Sequence, residues 1–307
     1  MKGIILAAGR GTRLYPMTKP VCKPLLPIYD KPLIYYPLSL IIQAGIREVL
    51  LIVPAGEVET FSALLGDGGK LGMSISYAVQ PVARGIADAL LIGRDFVGDD
   101  DVCLVLGDNI FYAPGLGQTM KRAAAENQGA TVFGYYVDDP RPFGVVEFDE
   151  QGNVISIEEK PRYPKSNYIV PGIYFYDRQV MEIAATLTPS ARGELEITDV
   201  NLAYLRRQHL HVIPLDKKTQ WMDAGTADSL LDAAQTIRRI QEDTGLLVGC
   251  IEELAYLEGW ISAQQLDALG SELGNTFYGR HLQNFSRIEA QLTSLSCENR
   301  RANIGPA

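Results

Sequence analysis

Cysteine and histidine are scarce in this chain, and their spacing narrows the kinds of site that it can carry. The three histidines, His209, His211 and His281, lack the spacing of a metal motif such as His-Glu-x-x-His. The four cysteines form no Cys-x-x-Cys pair and are spread along the chain at Cys22, Cys103, Cys250 and Cys297. Neither a disulfide framework nor a thiolate zinc site is therefore indicated.

Long hydrophobic runs are also missing. The longest uncharged stretch, Pro32–Ile46, is interrupted by Pro37, Ser39 and Gln43 and is shorter than the roughly 20 apolar residues of a membrane span. The first residues include Lys2 and then reach Arg10 too soon for a signal peptide. We therefore expect a cytoplasmic protein without a membrane partner.

Positive charge is in the minority. The 307 residues include 28 Lys and Arg against 37 Asp and Glu, a net charge of -9, which argues against a nucleic-acid partner because such binding needs a basic face. A hydrophobic content of 47% is that of a globular protein with a sizeable core. Any phosphate group that the protein binds must be met by a local cluster of cations.

Short apolar runs alternate with amphipathic stretches over the first 110 residues. We expect strands at Gly3–Ala7, Val49–Val53, Ser74–Val79 and Val102–Leu106, and helices at Leu33–Ala44, Glu57–Leu65 and Ile86–Arg94. Continuously apolar strands separated by helices are typical of parallel sheets that are buried on both faces. The pattern predicts an α/β fold with a Rossmann-like, mostly parallel sheet flanked by helices.

From about Ala130 the pattern changes to successive strands, which predicts an antiparallel insertion. Expected strands are Ala130–Val137, Val145–Phe148, Val154–Glu158 and Tyr168–Tyr176. Further helices are expected at Gln179–Ala185, Ile197–Arg206 and Ala227–Glu242. We divide the chain into a catalytic domain at 1–243, a small helical C-terminal subdomain at 244–285 and a disordered tail at 286–307.

A glycine-rich loop follows the first strand directly. Gly9–Arg13 contains two glycines, which allow backbone N–H groups to approach an anion closely. The loop is not a P-loop and lacks the third glycine of the dinucleotide fingerprint, since position 14 is Leu. Arg13, Lys19 and Lys23 make its surroundings cationic in an acidic chain, which suits the phosphates of a nucleotide. A simple tight turn is the alternative.

Two aspartates lie at the ends of expected strands, 115 positions apart. Asp108 follows Val102–Leu106, at the end of a central strand where open α/β sheets bind ligands. Asp223 lies just before Gly225. Together they could share one Mg²⁺, although an isolated Asp is more often a cap or turn residue. Asp99–Asp101 precedes its strand and is interpreted as a solvated turn.

A series of segments over roughly 1–285 matches one family pattern. The segments are Leu6–Leu14, Pro16, Lys23–Pro27, Asp30–Pro37, Gln80–Pro81, Gly85–Ala89, Leu106–Asn109, Phe143–Gly144, Glu158–Pro161, Lys165–Tyr168, Gly172–Asp177, Arg192–Asn201 and Trp221–Thr226. Through them the sequence resembles the sugar-1-phosphate nucleotidylyltransferases, and within them the short bacterial glucose-1-phosphate thymidylyltransferases. The sequence departs from the family pattern at Cys22, Asp88, Pro171 and Ala224, where Ser, Gln, a small polar residue and Thr are usual.

The resemblance implies a glycosyltransferase-A-like nucleotidyltransferase fold and assigns roles to particular residues. Asp108 and Asp223 are the implied Mg²⁺ ligands, and the implied catalytic cations are Arg13, Lys23 and Lys160. The implied nucleotide contacts are Leu6, Gly9, Gly11, Thr12, Arg13, Gln80 and Gly85. The implied sugar contacts are Asn109, Gly144, Glu159 and Val170. Without the resemblance, Glu158–Pro161 could equally be a surface charge cluster.

The implied reaction is transfer of a thymidylyl group from dTTP to glucose 1-phosphate, with pyrophosphate as the second product. An ionised sugar-phosphate oxygen needs no general base, so the protein's task is positioning and charge neutralisation. The bases of dTTP and UTP offer nearly the same edge to Gln80, so the preference between them stays open, as does the sugar. A nucleotide-sugar-consuming glycosyltransferase and a non-catalytic nucleotide-sugar sensor are the alternatives. The resemblance also implies a homotetramer with a second, inhibitory nucleotide-sugar site.

Overall fold

The computed structural model describes residues 1–288 and contains a ten-stranded sheet flanked by helices. The strands are β1 (Lys2–Leu6), β2 (Pro27–Ile28), β3 (Lys31–Pro32), β4 (Glu48–Pro54), β5 (Ser74–Gln80), β6 (Val102–Leu106), β7 (Asn109–Tyr112), β8 (Ala130–Tyr136), β9 (Gly144–Phe148), β10 (Val154–Glu159), β11 (Tyr168–Ile169), β12 (Ile173–Tyr176), β13 (Leu210–Pro214) and β14 (Gln220–Asp223). The helices are α1 (Tyr35–Gln43), α2 (Val58–Leu65), α3 (Asp88–Ile92), α4 (Arg94–Val97), α5 (Leu116–Glu126), α6 (Val180–Ala185), α7 (Ile197–Arg206), α8 (Ala227–Thr244), α9 (Ile251–Leu257) and α10 (Ala263–Glu272). Residues 277–288 are also helical.

Four parallel strands form one half of the main sheet, in the order β6-β1-β4-β5. These are the four strands expected from the first apolar runs, and their carboxyl ends meet at one edge. Neighbouring residues along them face opposite sides of the sheet, so Ile4 and Leu50 belong to one hydrophobic cluster whereas Ile5 and Val49 belong to another. Burial on both faces explains why β1, β4 and β6 are continuously apolar, whereas the edge strand β5 is partly exposed.

The other half of the sheet is antiparallel. It adds β12, β8, β11, β9 and β10 beyond β6, while β13 pairs in parallel with β8. The predicted Rossmann-like sheet with flanking helices is therefore confirmed as a mixed sheet, in which five antiparallel strands and β13 extend the four parallel strands.

The segment 168–176 is not the single strand that its apolar pattern predicted. It breaks at Val170–Gly172 into β11 and β12, because Pro171 provides no N–H and Gly172 takes a positive φ of 71°. On either side of the break, the Val170 N–H donates to the Gly144 carbonyl, and the Gly172 carbonyl accepts from the Leu106 N–H. The break thus joins the two halves of the sheet beside the end of β6.

We expect Gly172→Ala to destabilise the protein by about 1–3 kcal/mol, because an L residue is strained at this φ. The added Cβ would also lie 2.9 Å from Leu106 Cδ1 and 3.1 Å from Asn109 Nδ2. Thermal unfolding measures the effect, with Gly152→Ala as the control. Gly152 also has a positive φ, but a Cβ there meets no atom within 4 Å. Equal losses of stability in both variants would show that the close contacts at Gly172 add nothing to the cost of its positive φ.

The helices cover both faces of the sheet and confirm most of the predicted helical segments. α1 ends before Gly45, whose φ of 77° provides the expected C-terminal cap. The predicted helix at 86–94 is interrupted at Gly93, where α3 ends and α4 begins, and α4 continues past the predicted range to Val97. A Cβ at Gly93 would lie 2.5 Å from Ile4 Cδ1, so glycine allows these helices to pack closely on β1.

The C-terminal helices pack into the same hydrophobic cluster as α1. Ile251, Ala255 and Leu282 belong to the cluster that contains Ile41, so residues 244–285 share a core with the sheet. Residues 286–288 are helical, and Ser286 is buried and donates to the Ala263 carbonyl, which contradicts a tail that begins at 286. The rest of that predicted tail lies outside the described residues.

Within residues 1–288, none of the helices combines the length and apolar character needed to cross a membrane.

Candidate active site

The glycine loop lies beside Asp108 because β1 and β6 are neighbouring strands. Leu6 pairs with Leu106, and the Gly107 N–H donates to the Leu6 carbonyl at 2.8 Å. In the loop, Gly11 has a φ of 62°, and an added Cβ would lie 2.9 Å from Lys23 Cβ. Gly11 therefore lets the loop pack against the stem of Lys23. A Cβ at Gly9 would meet no atom within 4 Å, which leaves that side of the loop open to a ligand.

A two-stranded ribbon brings the two distant aspartates together. β7 pairs with β14 in antiparallel register, and Asp223 lies opposite Asn109, the residue after Asp108. Lys23 Nζ is 2.7 Å from Asp108 Oδ2 and 3.7 Å from Asp223 Oδ1. The Lys23 side chain is only 6% exposed, so a nearly buried cation bridges the two carboxylates.

The carboxylates are close enough to repel each other. Burial, followed by the charge of Asp108, raises the pKa of Asp223, while Lys23 and Arg13 oppose this shift. A Cβ at Gly225 would lie 3.2 Å from Arg13 Nη2 and 3.0 Å from Asp223 Oδ2, which places the guanidinium at the same centre. Two carboxylates that repel each other suit a divalent cation between them. Such a cation takes its remaining ligands from phosphate and water. Over residues 1–288 no third Asp, Glu, His or Cys joins them.

The expected sugar contacts lie where β9, β10 and the 170–172 break meet. Gly144 pairs with Glu159, and its carbonyl accepts from the Val170 N–H. Lys160 follows Glu159 with a φ of 44°, a conformation that costs a non-glycine residue free energy and is common at functional sites. Lys160 Nζ is 3.7 Å from Glu159 Oε1 and the side chain is 43% exposed. An exposed cation and a carboxylate thus lie side by side.

Trp221 connects this region to the aspartates. Its indole N–H donates to Asn109 Oδ1 at 2.7 Å, and Asn109 Nδ2 donates to Asp108 Oδ1 at 3.0 Å. The Trp221 ring also packs edge-on against Phe143, the neighbour of Gly144, with 5.2 Å between ring centroids. The Asn109 amide is therefore held at both ends, by Asp108 at its nitrogen and by Trp221 at its oxygen.

Gln80 and Gly85 lie on the other side of the glycine loop. Gln80 ends β5 and is 6% exposed. Gly85 has a φ of 102°, and a Cβ there would lie 2.4 Å from the Leu195 carbonyl oxygen, so only glycine fits between the two backbone segments. A cavity of about 190 Å³ separates the ends of β4 and β5 from the loop, and Ala8, Arg10 and Gln80 line it.

Sequence reasoning assigned no role to three residues that support this site. Thr198 donates to Glu159 Oε2 at 2.5 Å. Arg192 forms a bidentate pair with Glu196 and lies 3.4 Å from Glu159 Oε1. Thr198 and Arg192 lie in the family-matching segment 192–201, and Trp221 lies in 221–226. The family resemblance was therefore the one feature of the sequence that pointed to these residues. It could not show which neighbours these residues contact.

The other acidic, cysteine and histidine residues considered in the sequence either lie away from Asp108 and Asp223 or have unreactive side chains. Asp101 precedes β6 at the opposite end of the strand from Asp108 and accepts from the Arg178 N–H. Burial, together with Glu57, raises the pKa of Cys22 to about 12, so its thiol is neutral at pH 7. Cys103 and Cys250 are likewise buried and free. His281 contacts Glu253 at 2.7 Å, away from the aspartates.

The chain is similar to known proteins along most of its length. The nucleotidyl transferase family model matches residues 2–240. A glucose-1-phosphate thymidylyltransferase of Xanthomonas campestris pv. campestris (strain B100) is 56% identical over 281 residues, which are 92% of this chain and 95% of that protein. One of Neisseria meningitidis serogroup A is 52% identical over 282 residues, 92% of this chain and 98% of that protein.

Two solved structures are similar in fold. A crystal structure of a Bacillus anthracis protein assigned as a glucose-1-phosphate thymidylyltransferase, in complex with a sucrose, has a TM-score of 0.71 and 43% identity, and the match covers 78% of this chain and 95% of that one. A UDP-glucose pyrophosphorylase complexed with UDP-glucose has a TM-score of 0.67 at 24% identity, covering 78% of this chain and 98% of that one. The second likeness concerns the fold alone.

Proposed function

The chain belongs to the nucleotidyl transferase family, and from this we propose that it is a glucose-1-phosphate thymidylyltransferase. It transfers the thymidylyl group of dTTP to glucose 1-phosphate and releases pyrophosphate. Relatives at 52% and 56% identity over 92% of the chain carry that name. The observation that supports the assignment most strongly is Lys23 between Asp108 and Asp223, next to the glycine loop.

The mechanism is a direct in-line displacement at the α-phosphorus. A phosphate oxygen of glucose 1-phosphate forms the new P–O bond, and the bond to the pyrophosphate oxygen breaks with its electron pair leaving on pyrophosphate. The attacking oxygen is already ionised at pH 7, and in the described residues the cysteines are buried and neutral. The reaction therefore needs neither a general base nor a protein nucleophile.

The protein contributes position and positive charge. We assign the glycine loop, with Leu6, Gly9, Gly11 and Thr12, to the nucleotide, because it lies at the carboxyl end of β1. Arg13 and Lys23 reduce the repulsion between the two incoming anions. Lys160 holds the sugar phosphate, and Glu159, Asn109, Gly144 and Val170 orient the sugar.

Asp108 and Asp223 are the residues that would hold Mg²⁺. When bound, the ion supplies positive charge that offsets the phosphate oxygens of the nucleotide. Lys23 could remain near both carboxylates or turn toward a phosphate oxygen, since Lys is a compact and mobile charge.

We also retain a homotetramer and a cytoplasmic location as proposals. Exposed apolar side chains on the C-terminal helices, Leu257 at 57% and Phe277 at 60% exposure, support a contact with further subunits. The proposed reaction supports the cytoplasmic location, because both substrates are charged metabolites.

The test is Mg²⁺-dependent release of pyrophosphate from dTTP and glucose 1-phosphate, with the sugar nucleotide identified by mass spectrometry. We expect dTTP with glucose 1-phosphate to give the highest kcat/KM among dTTP and UTP combined with several hexose 1-phosphates. Turnover only with UTP, or only with another sugar phosphate, would disprove the substrate assignment and leave the reaction class intact. Consumption of a sugar nucleotide without pyrophosphate formation would instead support a glycosyltransferase.

A further inference from the structure

Asp88 is a buried acidic residue to which neither the mechanism nor the family resemblance assigns a role. It begins α3 and its side chain is 0% exposed. Oδ2 accepts from Gln80 Nε2 at 2.8 Å, and Oδ1 accepts from Arg84 Nη2 at 2.8 Å. A buried carboxylate is costly unless it is paired and hydrogen-bonded, and these two contacts provide both.

This contact, which is shorter than the 3.5 Å from Gln80 Nε2 to the Gly85 carbonyl oxygen, is the main determinant of which end of the Gln80 amide faces Asp88. An ionised carboxylate can only accept hydrogen bonds, so it tolerates the NH₂ group of Gln80 and disfavours the carbonyl oxygen. The guanidinium of Arg84, four residues before Asp88, supplies the compensating positive charge. The two ends of the amide are therefore not interchangeable, whereas a glutamine with neutral partners could rotate by 180°.

The orientation of an amide matters for the recognition of a pyrimidine. At positions 3 and 4, thymine and uracil offer a donor and then an acceptor, namely N3–H and O4. Cytosine offers the reverse, an acceptor at N3 and a donor at the 4-amino group. An amide that pairs with this edge must place its oxygen opposite position 3 for thymine and opposite position 4 for cytosine. Rotating the amide thus exchanges one preference for the other.

We propose that Asp88, charge-balanced by Arg84, fixes the amide of Gln80 in one orientation and so makes this site select thymine or uracil over cytosine. The proposal rests on the proposed function, in which the nucleotide base occupies the cavity that Gln80 lines. That cavity lies next to the glycine loop, which places a base within reach when the loop holds the phosphates. Asp88 is a positioning residue that acts through Gln80.

The test is the Asp88→Asn variant, which keeps the size of the side chain and offers either an oxygen or an NH₂ group to Gln80. Because Arg84 can only donate, it favours the oxygen of the introduced amide and leaves the NH₂ group facing Gln80, which favours the reversed orientation of the Gln80 amide. We expect the ratio of kcat/KM for dTTP to that for dCTP to fall at least about tenfold, the factor that roughly one hydrogen bond is worth. The KM for glucose 1-phosphate should change less than about twofold, because the sugar region is separate from this contact.

Asp95→Asn is the matched control, since Asp95 is an exposed residue on the following helix and should leave the ratio unchanged. Equilibrium binding of dTTP and dCTP, measured by calorimetry without a sugar phosphate, gives the same comparison independently of catalysis. If the parental protein binds dTTP more tightly than dCTP but forms no sugar nucleotide, the proposed function is refuted. The binding ratio of the Asp88→Asn variant then still tests the selectivity. An unchanged binding ratio in Asp88→Asn, or equal binding of both nucleotides by the parent, overturns the inference.

Discussion

We expect Asp108→Asn and Asp223→Asn each to lower kcat at least about a hundredfold, the equivalent of about 2.7 kcal/mol. Either change keeps the size of the side chain and removes one negative charge from the pair that would hold Mg²⁺. The loss should appear mainly in kcat, because the interactions with phosphate oxygens strengthen as charge is redistributed around the α-phosphorus. Both variants should also need a higher Mg²⁺ concentration for half-maximal rate.

The two variants should differ in stability. Asp108 is the closer partner of the nearly buried Lys23, at 2.7 Å against 3.7 Å for Asp223. Asp108→Asn should therefore lower the melting temperature of the ligand-free protein more than Asp223→Asn does, because an unpaired buried charge is costly. Asp99→Asn, at an exposed turn, is the control for both measurements. Folded variants that keep more than about half of the parental kcat would exclude the two-carboxylate model, given the loss expected from the missing charge.

The second large effect is expected at Lys160, where Lys160→Ala and Lys160→Gly should each lower kcat/KM at least about thirtyfold, or about 2 kcal/mol. Both variants lack the ammonium group that we assign to the sugar phosphate. They should differ in stability, because the φ of 44° strains alanine and not glycine. The glycine variant should be the more stable by about 1 kcal/mol after the greater entropy of its unfolded chain is included.

This pair of variants separates activity from stability. If the activity loss came from a damaged fold, Lys160→Gly would be the more active variant, whereas a missing phosphate contact predicts equal losses. Steady-state kinetics with varied glucose 1-phosphate and thermal unfolding measure the two quantities. Lys165→Ala removes a comparable exposed lysine, which pairs with Glu147 away from the aspartates, and serves as the control. A parental kcat/KM in Lys160→Gly would remove Lys160 from the site.

The sequence predicted the parallel half of the fold well, because burial on both faces leaves a continuous apolar run for β1, β4 and β6. The same strands place the glycine loop after Leu6 and Asp108 after Leu106, so the position of one carboxylate followed from local pattern alone. The residue roles that came with the family resemblance remain proposals, although the structure brings Asp108, Asp223, Lys23 and Arg13 together.

Contacts between distant residues could not be read from local pattern. β7 and β14 are four residues each and pair across more than 100 positions, and no periodicity marks which strand a short segment will join. The division of 168–176 into β11 and β12 was missed because its apolar residues continue through Pro171 and Gly172. Asp88 looked like a departure from a family pattern, and only its burial against Gln80 gives that departure a physical meaning.

The pairing of β14 with β7 has a consequence for how the polypeptide is made. All ten strands of the main sheet are complete by Pro214, whereas Asp223 lies nine residues further on, in a ribbon separate from that sheet. A nascent chain emerging from the ribosome, or a fragment cut between 214 and 220, therefore contains every strand of the main sheet but only one of the two carboxylates. Because we propose that Asp223 holds the metal ion, we expect a copy that ends before β14 to contain the whole sheet and yet be unable to carry out the transfer.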